Sequence, residues 1–201
     1  MTYSGGTMAI AAPAPRVLAD VVPHTWVRQL VLVTGGAAFV GLAAQIAIPL
    51  PFTPVPLTLQ TFAVLLTGAA LGSRRGALSM ALYALVGVLG VPWFAQGSSG
   101  YSAPSFGYIL GFVAAAFIVG RIAEGGATRT AARTAWLMVV GNLVIYAIGV
   151  TWLKFALGVD AATAISLGVT PFLIGDAMKI AAAAGLLPLT WRALRRAGLT
   201  D

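Results

Sequence analysis

The chain has 201 residues, is 59% hydrophobic and only 8% charged, and has a mean hydropathy of +0.94. A soluble domain carries about 25% charged residues, so this composition excludes a water-facing globular surface and points to a polytopic membrane protein of one compact bundle. A formal net charge of +7 would indicate nucleic acid in a soluble protein, but the placement of the basic residues assigns them to membrane topology instead.

The opening segment, MTYSGGTMAIAAPAPRVLAD, has no basic residues ahead of its short apolar run and does not read as a cleaved signal peptide. It reads as a tail leading to an interfacial stretch around His24 and Arg28. A spanning helix needs about 20 mostly apolar residues. Six stretches are assigned as spans: 29–48, 57–72 (short), 76–94, 107–122, 135–157 and 171–191. The expected fold is an all-α integral membrane protein. Residues 1–28 form the tail, 29–192 a six-helix transmembrane substrate-binding domain, and 193–201 a short basic cytoplasmic tail.

Between the first two stretches, IPLPFTPVPLTLQ holds Pro49, Pro51, Pro54 and Pro56, which exclude regular helix and favour a stiff extended loop. Between the third and fourth, FAQGSSGYSAPSFGY is rich in Gly and Ser, and its glycines permit positive φ and close backbone approach. Neither loop carries a basic residue. Ten of the 12 Lys and Arg residues fall on the opposite side: Arg16, Arg28, Arg74, Arg75, Arg121, Arg129, Arg133, Arg192, Arg195 and Arg196. The positive-inside rule then places both termini in the cytoplasm and the two irregular loops, with any pocket beneath them, toward the outer face.

Polar or small residues inside the stretches are few. In the first, Ala37 with Gly41 and Ala43 with Ala47 recur at spacing four, which allows close helix approach, either within the bundle or against a separate subunit. Gln60 opens the second. Asn142 and Tyr146 share a face of the fifth at i, i+4. Each of these three serves either as helix-to-helix glue or as a ligand contact. Trp93 and Trp152 fit an interfacial belt or a pocket wall equally well.

The last stretch, PFLIGDAMKIAAAAG, places Asp176 and Lys179 inside an apolar helix. Their i, i+3 spacing puts both on one face. Each charge costs roughly 2.5–3.5 kcal/mol at a helix centre, and such groups are functional candidates. One reading is an ion pair that only fixes helix packing, replaceable by apolar residues at little cost. The other is an occluded polar pocket for a small ligand, with Asp176 accepting hydrogen bonds and Lys179 meeting an anion.

The missing residue types narrow the chemistry. There are no cysteines, hence no disulfide or thiolate metal site, and the single His24 offers no histidine pair for a metal. No GxxxxGK[ST], HExxH or GxSxG sequence occurs, so ATP, if used, is hydrolysed by separate subunits, and no enzyme activity or cofactor is expected. Intramembrane aspartyl proteolysis lacks a second helical acid, because Glu124 and Asp160 fall in loops. A retinal-type photoreceptor with Lys179 as the Schiff-base lysine would need seven helices rather than six.

QIAIPLPFTPVPLTLQTFAVLLTGAALGSRRGALSMALYALVGVLGVPWF, followed by GYILGF, GNLVIYAIGVTWL and PFLIGDAMKIAAAAGLLP, resembles the BioY family, the biotin-specific S components of energy-coupling-factor (ECF) transporters. The resemblance spans about residues 30–192 and rests on the PVP-x-TLQ loop together with GDxxK. It implies a six-helix bundle that binds biotin from outside, beneath the loop between the first two helices, for uptake across the prokaryotic inner membrane. By position, Asp176 and Lys179 become polar anchors of the biotin site. Gln60 and Ser98 line it, Gly97 and Gly100 allow close approach, and Tyr108, Asn142 and Tyr146 match family positions. The family's docking motif for the transmembrane coupling subunit falls near Val33, Ala37 and Gly41. The implied partners are biotin, membrane lipid, and the coupling and ATPase subunits in separate chains, with self-association as the other possibility. An S component or stand-alone carrier for another small vitamin is the alternative function. Two departures fall on the pocket wall: Ala103-Pro104-Ser105-Phe106-Gly107-Tyr108 replaces the family's Gly-Pro-Thr-Gly-Gly-Tyr, and AQGSSG replaces a more glycine-rich run. Charge matching pairs biotin's carboxylate with Lys179 and its ureido N–H groups with Asp176.

Overall fold

The computed structural model describes residues 15–21 and 25–200. The N-terminal tail as far as residue 14, and His24, lie outside the described residues. The described chain is helical apart from one minimal hairpin. In order it forms α1 (Trp26–Gln45), β1 (Ala47–Ile48), β2 (Leu57–Thr58), α2 (Gln60–Leu71), α3 (Ser73–Val88), α4 (Phe106–Glu124), α5 (Ala131–Leu157), α6 (Ala161–Gly168) and α7 (Leu173–Arg196). Helices α1–α5 and α7 fall on the six predicted stretches.

The boundaries shift for local reasons. α1 starts three residues earlier than the sequence reading, because the Thr25 side chain accepts from the Arg28 amide at 3.2 Å and caps it. It also stops earlier. Ala47 pairs with Thr58 and Ile48 with Leu57 in an antiparallel ladder, so both ends of the proline loop are tied together. α3 ends at Val88 rather than Phe94, since Gly90 turns the chain at φ 105° and Pro92 follows. α7 continues to Arg196, so the start of the expected basic tail is helical. α6 is an unpredicted helix. Its Asp160 cap accepts from the Thr163 amide at 2.9 Å and hydroxyl at 2.8 Å, and these bonds hold the exposed carboxyl below its ordinary range.

α4 is the centre of the bundle, packed on α2, α3 and α5; α1 lies on α2 and α3, and α7 on α5 and α2. α2 and α3 are joined by the single residue Gly72, with φ 87°, a conformation that a side chain would disfavour. Beside it Glu124 accepts from the Ser73 amide at 2.8 Å and hydroxyl at 2.7 Å and caps α3. Tyr83, Met80, Leu65, Leu137 and Trp191 are fully buried, whereas Trp26, Leu42, Phe155, Ile174 and Met178 face outward.

This apolar exterior suits lipid rather than water. Among the described residues four helical stretches are long and apolar enough to cross a membrane: α1, α4, α5 and the run Ala161–Arg196. α2 has 12 residues and rises only about 18 Å at 1.5 Å per residue, short of a hydrocarbon core about 30 Å thick.

The small-residue row of α1 faces inward. Ala37 is buried, and a Cβ at Gly41 would meet the Trp93 ring at 3.0 Å. A Cβ at Gly36 would meet the Ser79 hydroxyl at 2.6 Å and the Thr67 methyl at 2.9 Å. Val33 is half-buried. Ala37 and Gly41 are therefore buried, with Gly41 against the Trp93 ring.

Candidate ligand pocket

One end of the bundle is open. The proline loop, the Gly/Ser loop and the first turns of α2, α4 and α7 surround a cavity of about 340 Å³, within the roughly 300–1,000 Å³ usual for small-molecule sites. Its walls are mainly aromatic and apolar, with Phe94, Phe106, Phe112, Phe172, Val55 and the prolines Pro54 and Pro56.

Asp176 and Lys179 enter this cavity from the first two turns of α7. The Lys179 ammonium donates to Asp176 Oδ1 at 3.0 Å and to Thr61 Oγ1 at 2.8 Å. Thr61 in turn donates to Asp176 Oδ1 at 3.4 Å, and the Tyr146 hydroxyl donates to Oδ2. The side chains are 6% and 15% exposed for Asp176 and Lys179. Three helices thus converge on one carboxylate: α2 through Thr61, α5 through Tyr146 and α7 through Lys179. Burying a charge without such partners would cost several kcal/mol. An ammonium has three N–H donors, and two are used.

A second polar chain lies beside the first. Gln60 Nε2 donates to the Tyr83 hydroxyl at 2.7 Å, which lies 3.4 Å from the Trp93 carbonyl. Gln60 Oε1 has no protein partner among the described residues and belongs to a cavity-lining side chain. Tyr108 donates to the Gly168 carbonyl at 2.8 Å and ties α4 to the end of α6. Over the cavity, Thr53 Oγ1 donates to the Leu167 carbonyl at 2.8 Å and accepts from the Val55 amide at 3.2 Å. That is the latch of the proline loop onto α6.

Of the residues named from sequence, Asp176, Lys179, Gln60, Ser98, Gly100, Tyr108 and Tyr146 line one cavity. Gly97 does not line it, but at φ 68° it shapes the loop that does, as does Gly100 at φ 81°. Asn142 lies one turn deeper on α5 and lines a separate small cavity. Trp93 and Trp152 are outside the pocket wall: Trp93 donates from its indole to the Tyr83 carbonyl at 3.0 Å, and Trp152 packs edge-on against Phe106 with centroids 5.6 Å apart.

Thr61 was missed, because a single threonine after Gln60 carries no pattern. Gln96 was missed too. It sits at φ 60°, unusual for a residue with a side chain, on the pocket rim, and only its neighbour Gly97 hints at the turn. The aromatic walls are indistinguishable in sequence from core residues.

The profile described as the BioY family matches residues 13–196. A biotin transporter BioY from Thermotoga maritima is 39% identical over 163 residues, covering 78% of this chain and 92% of that protein. Biotin transporter BioY2 from Lactococcus lactis is 36% identical over 159 residues, covering 78% and 86%. A crystal structure of the S-component for biotin from an ECF-type ABC transporter superposes with a TM-score of 0.75 at 22% identity, over 85% of this chain and 95% of that one. The last likeness establishes the S-component fold, and the relatives place the sequence: with a family match over nearly the whole bundle, this chain belongs to the BioY family.

Proposed function

We propose that the chain captures biotin and carries it across the prokaryotic cytoplasmic membrane as the S component of an ECF-type transporter. The observation that carries this reading is the largely apolar cavity at the open end of the bundle, with Asp176, Lys179 and Thr61 bonded together on its wall, in a member of a transporter family. The chain performs no covalent chemistry; the coupling and ATPase subunits are separate chains.

The pair's geometry revises how biotin lies. Asp176 and Lys179 are 3.0 Å apart, whereas biotin's carboxylate and ureido group stand at opposite ends of the ligand. One end must therefore meet both residues. A carboxylate at Lys179 would also meet Asp176 and be repelled. A cyclic urea presents an N–H beside a C=O, matching an acceptor beside a donor. The ureido ring sits on the α7 pair, with its N–H to Asp176 and its carbonyl accepting the third Lys179 N–H. The bicyclic ring and aliphatic tail lie against the Phe walls. The carboxylate points toward the Ser98 and Gly100 loop.

Equilibrium binding of biotin and of a neutral biotin amide separates the two orientations. With the ureido ring on the pair, Lys179→Ala weakens both ligands equally, by about 10-fold or more. Loss of affinity for biotin alone reverses the orientation, and absence of saturable biotin binding to the wild-type chain rejects the function.

The membrane topology belongs to the same proposal: six spans, both termini cytoplasmic and the pocket facing outward. α2 and α3 are short because the proline and Gly/Ser loops fill membrane depth above them, where irregular backbone is tolerated only when it lines a cavity or is buried in protein. The chain has no cysteine, so single cysteines report cleanly: Ser99→Cys reacts with an impermeant maleimide from outside, and Arg133→Cys only after lysis.

A further inference from the structure

One turn deeper than the ligand cavity, between α2, α5 and α7, is a small pocket of about 10 Å³ that shares Thr61 and Lys179 with it. Phe62, Leu65, Met138 and Ile180 make it apolar on most sides; Thr61, Asn142 and Lys179 are its polar lining. Asn142 is 8% exposed, and among the described residues its carboxamide makes no hydrogen bond to a protein group. A buried amide left with no partner at all costs about 1–3 kcal/mol, and this one keeps accessible surface for a small polar molecule. A cavity needs roughly 10–15 Å³ of such space, and two to four polar partners, to hold one water. Size, polarity and the unpartnered amide coincide here.

We propose that this cavity is a binding site for one ordered water, which bridges Asn142 to the Thr61 hydroxyl. Lys179 does not supply the second bond. Two of its N–H groups go to Asp176 and Thr61, and the third serves the ligand. Thr61 Oγ1 accepts from Lys179 at 2.8 Å and donates to Asp176 at 3.4 Å. Its remaining lone pair accepts from the water, which also donates to Asn142 Oδ1.

Asn142 is then a positioning residue for the ligand site and not a ligand contact. It fixes the rotamer of Thr61, and Thr61 fixes the ammonium. This gives the i, i+4 pair on α5 one purpose: Tyr146 holds Asp176 directly, and Asn142 holds Lys179 through water and Thr61. Water-mediated bonds of this kind are nearly as favourable as direct ones.

This inference rests on the biotin reading for the assignment of the third Lys179 N–H and for its affinity readout. A crystal structure of the wild-type chain at a resolution that reveals ordered water is expected to place a peak within hydrogen-bond distance of both Asn142 and Thr61. No peak there, or one bonded to Lys179 without Thr61, overturns the site. Biotin affinities then test the positioning role. Asn142→Leu is expected to weaken binding about 5-fold in the wild-type background and less than 2-fold in Thr61→Val. Asn142→Ser, which leaves room for water, is expected to stay within 2-fold of wild type. Additive losses, or no loss in Asn142→Leu, overturn the positioning role. Failure of wild type to bind biotin rejects the preceding proposal instead; the water peak still decides the site, and melting temperatures of the same variants replace affinity in the cycle.

Discussion

At the end of the bundle where α2 turns into α3, Arg75 grips Asp20 with two nitrogens, each at 3.1 Å, and adds Gln29 at 2.8 Å. Arg129 lies 4.8 Å over the Trp191 ring, whose indole donates to Thr128 at 2.9 Å. At the other end Asp176 and Lys179 are bonded as closely, but they stand where α2, α5 and α7 border a cavity. The first end uses charge to fasten chain segments, with Val17 and Ala19 buried beneath them. The second keeps its charges partnered yet one donor short of saturation. Equal-looking ion pairs thus serve opposite ends, and packing behind them decides which.

That contrast breaks most severely at the closed end. A Cβ on Gly68 would lie 2.7 Å from the Ala116 carbonyl oxygen and 2.9 Å from its Cα, and backbone cannot yield as a side-chain tip can. Gly68→Val should cost about 3 kcal/mol and remove most monodisperse protein on size-exclusion chromatography. The folded remainder should bind biotin as wild type does, because α2's opposite end carries the ligand site. Weakened binding with normal folding would mean that the two ends are not separable.

The two acids sharpen it next. Asp176→Asn leaves the ammonium with neutral acceptors only and removes the charged acceptor from the pocket. Biotin affinity should fall about 100-fold, near the upper range for a hydrogen bond to a charged group. Asp20→Asn acts on a pair with side chains 17% and 30% exposed and should cost about 1 kcal/mol or less. Its affinity should stay within 2-fold of wild type, while trypsin cuts faster after the exposed Arg16.

The sequence carried the membrane class and the helices because hydropathy and helix length are local properties. It carried Asp176 and Lys179 for the same reason: a charge in an apolar helix is visible without its neighbours. What surrounds them was not local. Thr61 reaches Lys179 across 118 positions, and nothing in its own segment points to α7. α6 had a local signal, Asp160 as cap and Gly168 as stop, but its length of eight residues is below what a membrane-span reading looks for. The row Ala37 and Gly41 showed that a close contact exists and could not show with what. Asn142 and Tyr146 share a face as expected, yet a single turn of rise places them in different cavities.

A smaller effect tests the lid. Thr53→Val removes the bond to the Leu167 carbonyl and the acceptor of the Val55 amide while keeping the shape. A neutral hydrogen bond is worth about 1 kcal/mol net, so biotin should dissociate about 5-fold faster in a labelled-ligand chase. The association rate should change less, because the ladder of β1 and β2 still holds both ends of the loop. An unchanged dissociation rate would move the latch elsewhere, to the Gly/Ser loop.

The smallest effect lies back at the closed end, with Arg121 and Glu124 at 3.1 Å. The Arg121 side chain is 66% exposed, so water competes for it and the pair is worth at most about 0.5 kcal/mol. Glu124 does not depend on it: the Ser73 amide and hydroxyl hold the same carboxylate in place and cap α3. Arg121→Ala should therefore leave the melting temperature within a degree or so of wild type, whereas Ser73→Ala, losing the hydroxyl half of the cap, should lower it by more. Equal losses in the two variants would mean that surface charge, rather than the capped and buried turn at Gly72, fastens this end of the bundle.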